Sequence, residues 1–183
     1  EPLDVRVLER LRANEADMAF FPATELPPDF HSLRIYRSKK GILVRDGHPV
    51  IEAYEKAGVM TWELLNRWPA VCVTAGMKDG GAKSVEGRRV GVVLPYFLTV
   101  PYVVARTDFT FEGPLITLRR FMMDSQFQFR ILPMPEESGP FEPRLVWHHC
   151  SHTDPFLQWV RGLVVDAARS EARLLGVIDT SEE

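Results

Sequence analysis

Short apolar runs alternate with amphipathic stretches along this chain, and that alternation limits the folds open to it. Residues 2–14 carry apolar side chains at helical spacing, and residues 18–21 follow as a continuous apolar run. Such a run is typical of a strand buried on both faces. Residues 70–74 form a second run of the same kind. A helix followed by a buried strand predicts an α/β protein with a mainly parallel sheet.

The rest of the chain divides into further short elements. Strands are predicted at residues 31–36, 41–45, 89–94, 127–132 and 144–149, with another near Phe109. A turn is predicted at residues 46–49, because Asp, Gly and Pro are typical turn residues. Helices are predicted at residues 61–67, 96–105, 115–123 and about 154–169. In the last of these, the side chains expected to face inward are Phe156, Trp159, Val160, Leu163 and Val164.

Composition excludes several classes of protein. The 183 residues carry 22 basic and 25 acidic side chains, a formal charge of −3. This balance argues against a nucleic-acid-binding surface, because binding by counterion release needs clustered Lys and Arg. No apolar run approaches the roughly 20 residues that span a bilayer. Cys72 and Cys150 cannot form a disulfide framework, which favours a reducing compartment. A chain that opens on Glu1 with no signal peptide is expected to be processed or part of a longer protein.

The segment His148-His149-Cys150-Ser151-His152 suggests a metal site. In an extended segment His148, Cys150 and His152 point the same way, and Asp154 could complete a zinc site. Structural zinc sites, however, draw ligands from two separated segments, and no second Cys/His pair exists in the chain. Polar residues also collect where a strand runs into a helix cap. We therefore predict no metal and no cofactor, and keep a small zinc enzyme as an alternative.

No other motif predicts enzyme chemistry. Residues 76–84 read G-M-K-D-G-G-A-K-S, one residue away from a phosphate-binding P-loop. The inserted Ala82 shifts Lys83 out of register, and no helix start follows, so a glycine-rich surface loop is the better interpretation. No serine lies in a G-x-S-x-G setting, and neither cysteine has the local signature of a nucleophile. The sequence predicts no catalytic residue.

Five motifs follow one another in a fixed order over about 150 residues. They are E-A-D-M-A-F at 15–20, R-D-G-H-P-V at 45–50, T-D-F at 107–109 with Pro114 beyond it, L-P-M-P at 132–135, and L-V-W-H at 145–148 followed by D-P-F-L-Q-W-V-R at 154–161. In this order the chain resembles the effector-binding domain of the LysR-type transcriptional regulators. The segments P-Y-F at 95–97 and W-H at 147–148 are most similar to the branch that regulates aromatic-compound degradation and nodulation.

The resemblance implies an α/β fold of two Rossmann-like lobes of the type II periplasmic-binding-protein kind, joined by two crossing strands. Residues 1–68 and 144–183 would form lobe one, and residues 69–143 would form lobe two. It also implies that a small aromatic effector (a phenol, a chlorophenol or an aromatic acid) binds in the cleft between the lobes and is coupled to promoter activation. Lys78 is a weaker candidate for a side chain that binds the phenolate or carboxylate of the effector. The residues expected at the effector are Phe21, Ala75, Met77, Tyr96, Phe97, Thr110 and Phe111.

Two departures from the family pattern accompany the resemblance. The chain begins at what should be the second helix of lobe one, so we expect an N-terminally incomplete domain that lacks a first strand, helix and second strand. Residues 76–89 are shorter than is typical and lack the usual helix, which bears on the placement of Met77. The resemblance further implies a cytoplasmic protein with no membrane partner, a homodimer of effector domains within a homotetramer, and promoter DNA contacted through a winged helix-turn-helix missing here. A periplasmic solute-binding protein of the same fold is the alternative.

Overall fold

The computed structural model describes residues 5–21, 26–73, 87–136 and 138–178. The strands, in chain order, are β1 (Ala19–Phe21), β2 (Phe30–Arg34), β3 (Lys40–Arg45), β4 (Ala70–Val73), β5 (Val90–Leu94), β6 (Thr110–Pro114), β7 (Phe129–Pro133) and β8 (Arg144–His148). The α-helices are α1 (Val5–Arg12), α2 (Pro49–Ala57), α3 (Trp62–Leu65), α4 (Val100–Val104), α5 (Leu115–Asp124) and α6 (Pro155–Leu174). Every predicted element has a counterpart among them, and the predicted α/β class is confirmed.

The chain forms two compact units. Unit one comprises Glu1–Ser38 and Phe141–Glu183, and unit two comprises Lys39–Pro140. The prediction instead kept residues 39–68 with the first unit. The difference arises because β3 lies inside the sheet of unit two, where it pairs with both β6 and β7. The second boundary lies close to the predicted one, at Pro140 instead of residue 143.

Unit one is built on a three-stranded sheet in the order β1-β8-β2, in which both pairings are antiparallel. Leu11 of α1 packs with Phe30 and Val146 on one face of the sheet. Leu145 and Trp147 pack with Val165 of α6 on the other face. The central strand is therefore covered by a helix on each side. Because Phe20 in the edge strand β1 is largely exposed, the prediction that this run is buried on both faces was wrong.

Helix α6 begins where the sequence predicts, but it turns a different face to the core. The carboxylate of Asp154 accepts hydrogen bonds from the N–H groups of Phe156 and Leu157, at 2.9 and 3.0 Å, which caps the first turn. Arg161 is buried, and its guanidinium donates to the carbonyls of Ser151 and His152. Burial lowers the pKa of Arg161.

The inward position of Arg161 determines which apolar side chains of α6 are buried. Val165 and Ala172 share its face and are buried, whereas Phe156, Trp159 and Leu163 are exposed, Trp159 by 61%. The prediction that these three side chains face inward was wrong. Apolar spacing identified the helix, but Arg161 anchors a neighbouring stripe against the sheet.

Unit two contains a five-stranded sheet in the order β5-β4-β6-β3-β7. Its β4 pairs in parallel with β5 and with β6, while β3 is antiparallel to both of its neighbours. Parallel pairing is thus less extensive than predicted. One face is covered by α4 and α5, through residues such as Val104 and Leu118. The other face is covered by α2 and α3, through residues such as Val50 and Leu65.

Local capping explains the two helices that follow β3. Thr61 Oγ1 accepts a hydrogen bond from the N–H of Leu64 at 3.1 Å, as the predicted cap of α3 requires. Helix α2 was not predicted, although His48 caps it through a bond from Val50 N–H to Nδ1. Gly58, with a φ of +71°, ends it in the left-handed conformation that glycine favours.

Over residues 5–21, 26–73, 87–136 and 138–178, no helix is long and apolar enough to cross a membrane.

Candidate functional site

The carboxyl ends of three mutually parallel strands meet at one edge of the sheet in unit two. Val73 ends β4 opposite Leu94, the last residue of β5, and Pro114 ends β6. In open α/β sheets, ligands bind at the carboxyl ends of parallel strands. We call this the carboxyl edge, and it is the candidate functional site.

Two aromatic residues lie at the carboxyl edge directly after β5. Tyr96 precedes a 3₁₀ turn at Phe97–Thr99 that leads into α4, and its carbonyl accepts a 2.7 Å hydrogen bond from Thr99 Oγ1. The side chain of Tyr96 is 68% exposed and that of Phe97 is 39% exposed. Burying an exposed aromatic ring against an apolar ligand is favourable, since it removes apolar surface from water. These two predicted residues are therefore placed where a ligand could reach them.

Phe111 packs against Phe97, the second residue of this aromatic pair. It is buried in the core beneath α4 and α5. Its ring meets that of Phe97 edge-on, with the centroids 6.2 Å apart, and lies 6.3 Å from that of Phe121. Phe111 can therefore orient Phe97 without itself being exposed to a ligand.

Thr110 lies at the opposite end of β6, and its predicted role as a contact of the effector is not supported. It is the first residue of the strand, pairs with Ala70, and is completely buried. Its Oγ1 accepts a 2.7 Å hydrogen bond from Arg88 Nη2. Because Tyr96 and Phe97 follow the other end of these parallel strands, the sheet separates them from Thr110.

Arg88 forms a hydrogen-bond network at the amino-terminal edge of the same sheet, and no sequence motif predicted this role. Its Nε donates to Glu112 at 2.6 Å and its Nη1 to Asn66 at 2.8 Å, in addition to the bond with Thr110. The side chain of Arg88 is 2% exposed, so its charge is buried with a carboxylate partner. The local sequence G-R-R-V gives no sign of this, because the partners come from two distant segments, the end of α3 and strand β6.

Several predicted residues cannot be placed. Ala75 and Met77 lie outside the described residues, as does Lys78 and the glycine-rich segment at 76–84. Phe21 belongs to β1, where its backbone pairs with Arg144, and its side chain is outside the described part of the structure.

The four candidate zinc ligands do not come together at one point. His148 lies between Cys150 and Asp29, with its Nδ1 3.0 Å from the sulfur and its Nε2 3.4 Å from the carboxylate. His152 instead accepts a hydrogen bond from Trp147 Nε1 and stacks on His31 at 3.8 Å, and Asp154 caps α6. Among the described residues, no three His, Cys, Asp or Glu side chains form a group that could hold a metal ion.

Comparisons with known proteins give the family of the chain. The family model "LysR substrate binding domain" matches residues 3–169, so the chain belongs to that family. The chain is 31% identical to the HTH-type transcriptional regulator SyrM of Rhizobium meliloti (strain 1021), over 92% of this chain and 52% of SyrM. This relative is named as a regulator and not as an enzyme.

Solved regulatory domains share the fold. The regulatory domain of MexT, a transcriptional activator in Pseudomonas aeruginosa, aligns with a TM-score of 0.68 at 21% identity, over 86% of this chain and 76% of that domain. The BenM effector-binding domain with its effector benzoate aligns with a TM-score of 0.66 at 13% identity, over 97% of this chain and 79% of that domain. The chain spans about half the length of the curated relatives it matches.

Proposed function

We propose that this chain is the effector-sensing part of a transcriptional regulator, and that its effector is a small aromatic molecule such as a phenol, a chlorophenol or an aromatic acid. The observation that carries the proposal is the exposed pair Tyr96 and Phe97 at the carboxyl edge. The relation to an effector-binding domain solved with benzoate supports an aromatic ligand.

The chemistry of the edge suits a flat, partly charged ligand. A ring can lie offset against Tyr96 or meet Phe97 edge-on, as aromatic pairs prefer, while Phe111 holds Phe97 in place. A carboxylate or phenolate needs hydrogen-bond donors, which backbone N–H groups supply in many anion sites. Lys78 is the side-chain candidate for this role, and Phe21, Ala75 and Met77 are proposed as further lining residues.

An effector changes the state of a sensor only through a difference in affinity between two states. In the longer protein, the effector would bias how paired DNA-binding domains engage a promoter and would favour activation. That protein would be a cytoplasmic homo-oligomer built from dimers of effector domains, and would reach DNA through a winged helix-turn-helix outside this chain.

Thermal unfolding of the purified chain against phenols, chlorophenols, salicylate and flavonoids tests the proposal. A ligand present at 100 times its Kd stabilises a protein by about 2.7 kcal/mol, which raises the Tm of a chain this size by several degrees. We expect a rise confined to one aromatic class. If a folded chain shows no rise with any compound, the aromatic assignment is wrong for this chain.

The alternative, a periplasmic solute-binding protein of the same fold, is disfavoured because the chain belongs to the LysR substrate-binding-domain family. It would bind a similar ligand but would have a signal peptide and no helix-turn-helix upstream of residue 1. The regulator names of the curated relatives favour the first candidate. The coding sequence that precedes Glu1 distinguishes the two.

A further inference from the structure

A thiol, an imidazole and a carboxylate lie next to one another within unit one. Cys150 is exposed in the short 3₁₀ turn at His149–Ser151 that follows β8. Its sulfur lies 3.0 Å from Nδ1 of His148, whose Nε2 lies 3.4 Å from Oδ2 of Asp29. A nucleophile within hydrogen-bond reach of a base, with the base oriented by a third group, is the arrangement that activates side-chain nucleophiles.

The neighbours of His148 favour the ring tautomer that can accept a proton from the thiol. The carboxylate of Asp29 beside Nε2 favours a proton on that nitrogen. The backbone N–H of Cys150 points at Nδ1 from 3.4 Å, which requires an acceptor there. Nδ1 is therefore the unprotonated nitrogen of His148, and the backbone N–H and the thiol of Cys150 both lie within reach of its lone pair.

Asp29 is held in its charged form by a neighbouring residue. The guanidinium of Arg12 donates from Nε at 2.7 Å and from Nη2 at 3.1 Å to the two carboxylate oxygens. These hydrogen bonds lower the pKa of Asp29 to about 2. The cluster is also fixed by regular structure, because Phe30 of β2 pairs with His148 of β8 and the carbonyl of Asp29 accepts from His149 N–H at 2.9 Å.

We propose that Cys150 is a covalent modification site for electrophiles of the α,β-unsaturated carbonyl class, with His148 as its base and Asp29 as the group that orients His148. The thiol proton moves to Nδ1 while a sulfur lone pair forms a C–S bond to the β-carbon of the electrophile. The C=C π electrons shift to the carbonyl oxygen, and the enolate then takes the proton back from the imidazolium. Nothing is oxidised or reduced, and no group leaves.

Asn14 provides a second contact that suits this role. Its side-chain oxygen lies 3.0 Å from the sulfur and is, beside Nδ1 of His148, the alternative acceptor for the single thiol proton. Turned by half a rotation, the same amide presents two N–H donors to a thiolate. Cys72, in contrast, is buried in β4 of unit two and offers an internal comparison.

The test is the rate at which N-ethylmaleimide labels Cys150 at pH 7, followed by mass spectrometry of the intact and digested chain. A free thiol with a pKa of about 8.5 is only about 3% ionised at that pH. Complete ionisation would raise the thiolate fraction about thirtyfold, and the accompanying loss of nucleophilicity reduces the net gain in rate to about threefold. We expect Cys150 to react about threefold faster than N-acetylcysteine.

His148→Gln is expected to remove this advantage, and Asp29→Asn to reduce it. His149→Gln is the matched control, because its ring contacts His31 instead of the sulfur. Circular dichroism confirms that each variant is folded, and added imidazole should restore part of the rate in His148→Gln. The proposal is overturned if Cys150 reacts no faster than N-acetylcysteine, or if folded His148→Gln and His149→Gln react equally fast. This inference does not depend on the identity of the effector.

Discussion

The two units use their helices differently. In unit two, helices cover both faces of the five-stranded sheet, and α5 buries Leu118 and Phe121. In unit one, the 20-residue helix α6 buries Val165 and Ala172 but exposes Phe156, Trp159 and Leu163. An apolar stripe thus marks a buried face in one unit and an exposed one in the other. Polar anchors decide the outcome, since Arg161 fixes the rotation of α6 and Arg88 fixes one edge of unit two.

The largest effect is expected from Arg88→Ala. This change leaves the Glu112 carboxylate without its partner and removes the donors to Asn66 and Thr110. Breaking a buried ion pair from one side costs about 3–5 kcal/mol. Urea unfolding measures the loss. A loss below about 1 kcal/mol would show that the network is solvated and not structural.

A smaller effect, and a direct test of the comparison, comes from two truncations in α6. Val165→Ala removes buried methyl groups and should cost about 2 kcal/mol. Leu163→Ala, on the exposed stripe, should change the free energy of unfolding by less than about 0.5 kcal/mol. The same urea experiment measures both variants. Equal losses of unfolding free energy in the two variants would mean that the exposed apolar stripe of α6 is buried against another surface in solution.

Protonation of His31 at acidic pH is expected to lower the free energy of unfolding of unit one. Burial, and then the nearby His152 and His149, lower the pKa of His31 from its ordinary 6.5. The unfolded chain then binds the proton more readily than the folded one, so stability is full above pH 6.5 and falls as the pH drops below that value. The other charged neighbours, His148 and Arg161, act in the same direction.

His31→Gln is expected to flatten this fall in the free energy of unfolding between pH 6.5 and 5. His149→Gln, which removes a neighbour of His31 and not the titrating group itself, should flatten it less. An unchanged pH profile in His31→Gln would assign the acid sensitivity to another group, of which the buried His48 in unit two is the first candidate.

Local signals allowed much of the fold to be predicted. The apolar run at 70–74 is a buried strand, and the caps at Thr61 and Asp154 begin helices as predicted. Pairing between distant segments was not predictable from such signals. The placement of β3 in unit two, and the contact of Arg88 with Thr110, both depend on which strands become neighbours.

The candidate site also contains residues whose positions the sequence predicts and residues whose positions it does not. Tyr96 and Phe97 follow a predicted strand, so their place at the carboxyl edge could be expected from the α/β pattern. The motif around Thr110 does not reveal which end of β6 that residue occupies, so its burial at the start of the strand could not be predicted. Phe21, Ala75 and Met77 remain predictions.

Titration calorimetry of the best aromatic ligand tests the central claim most directly, with Tyr96→Ala compared with Tyr102→Ala. Both tyrosines are exposed, but Tyr102 lies on α4 with its ring against Phe127. Removing an aromatic ring that contacts the ligand costs about 1–3 kcal/mol, so Tyr96→Ala should raise Kd about fivefold or more. Tyr102→Ala should leave Kd within about twofold. Equal affinities in folded Tyr96→Ala and the unmodified chain would contradict the assignment of the carboxyl edge as the effector site.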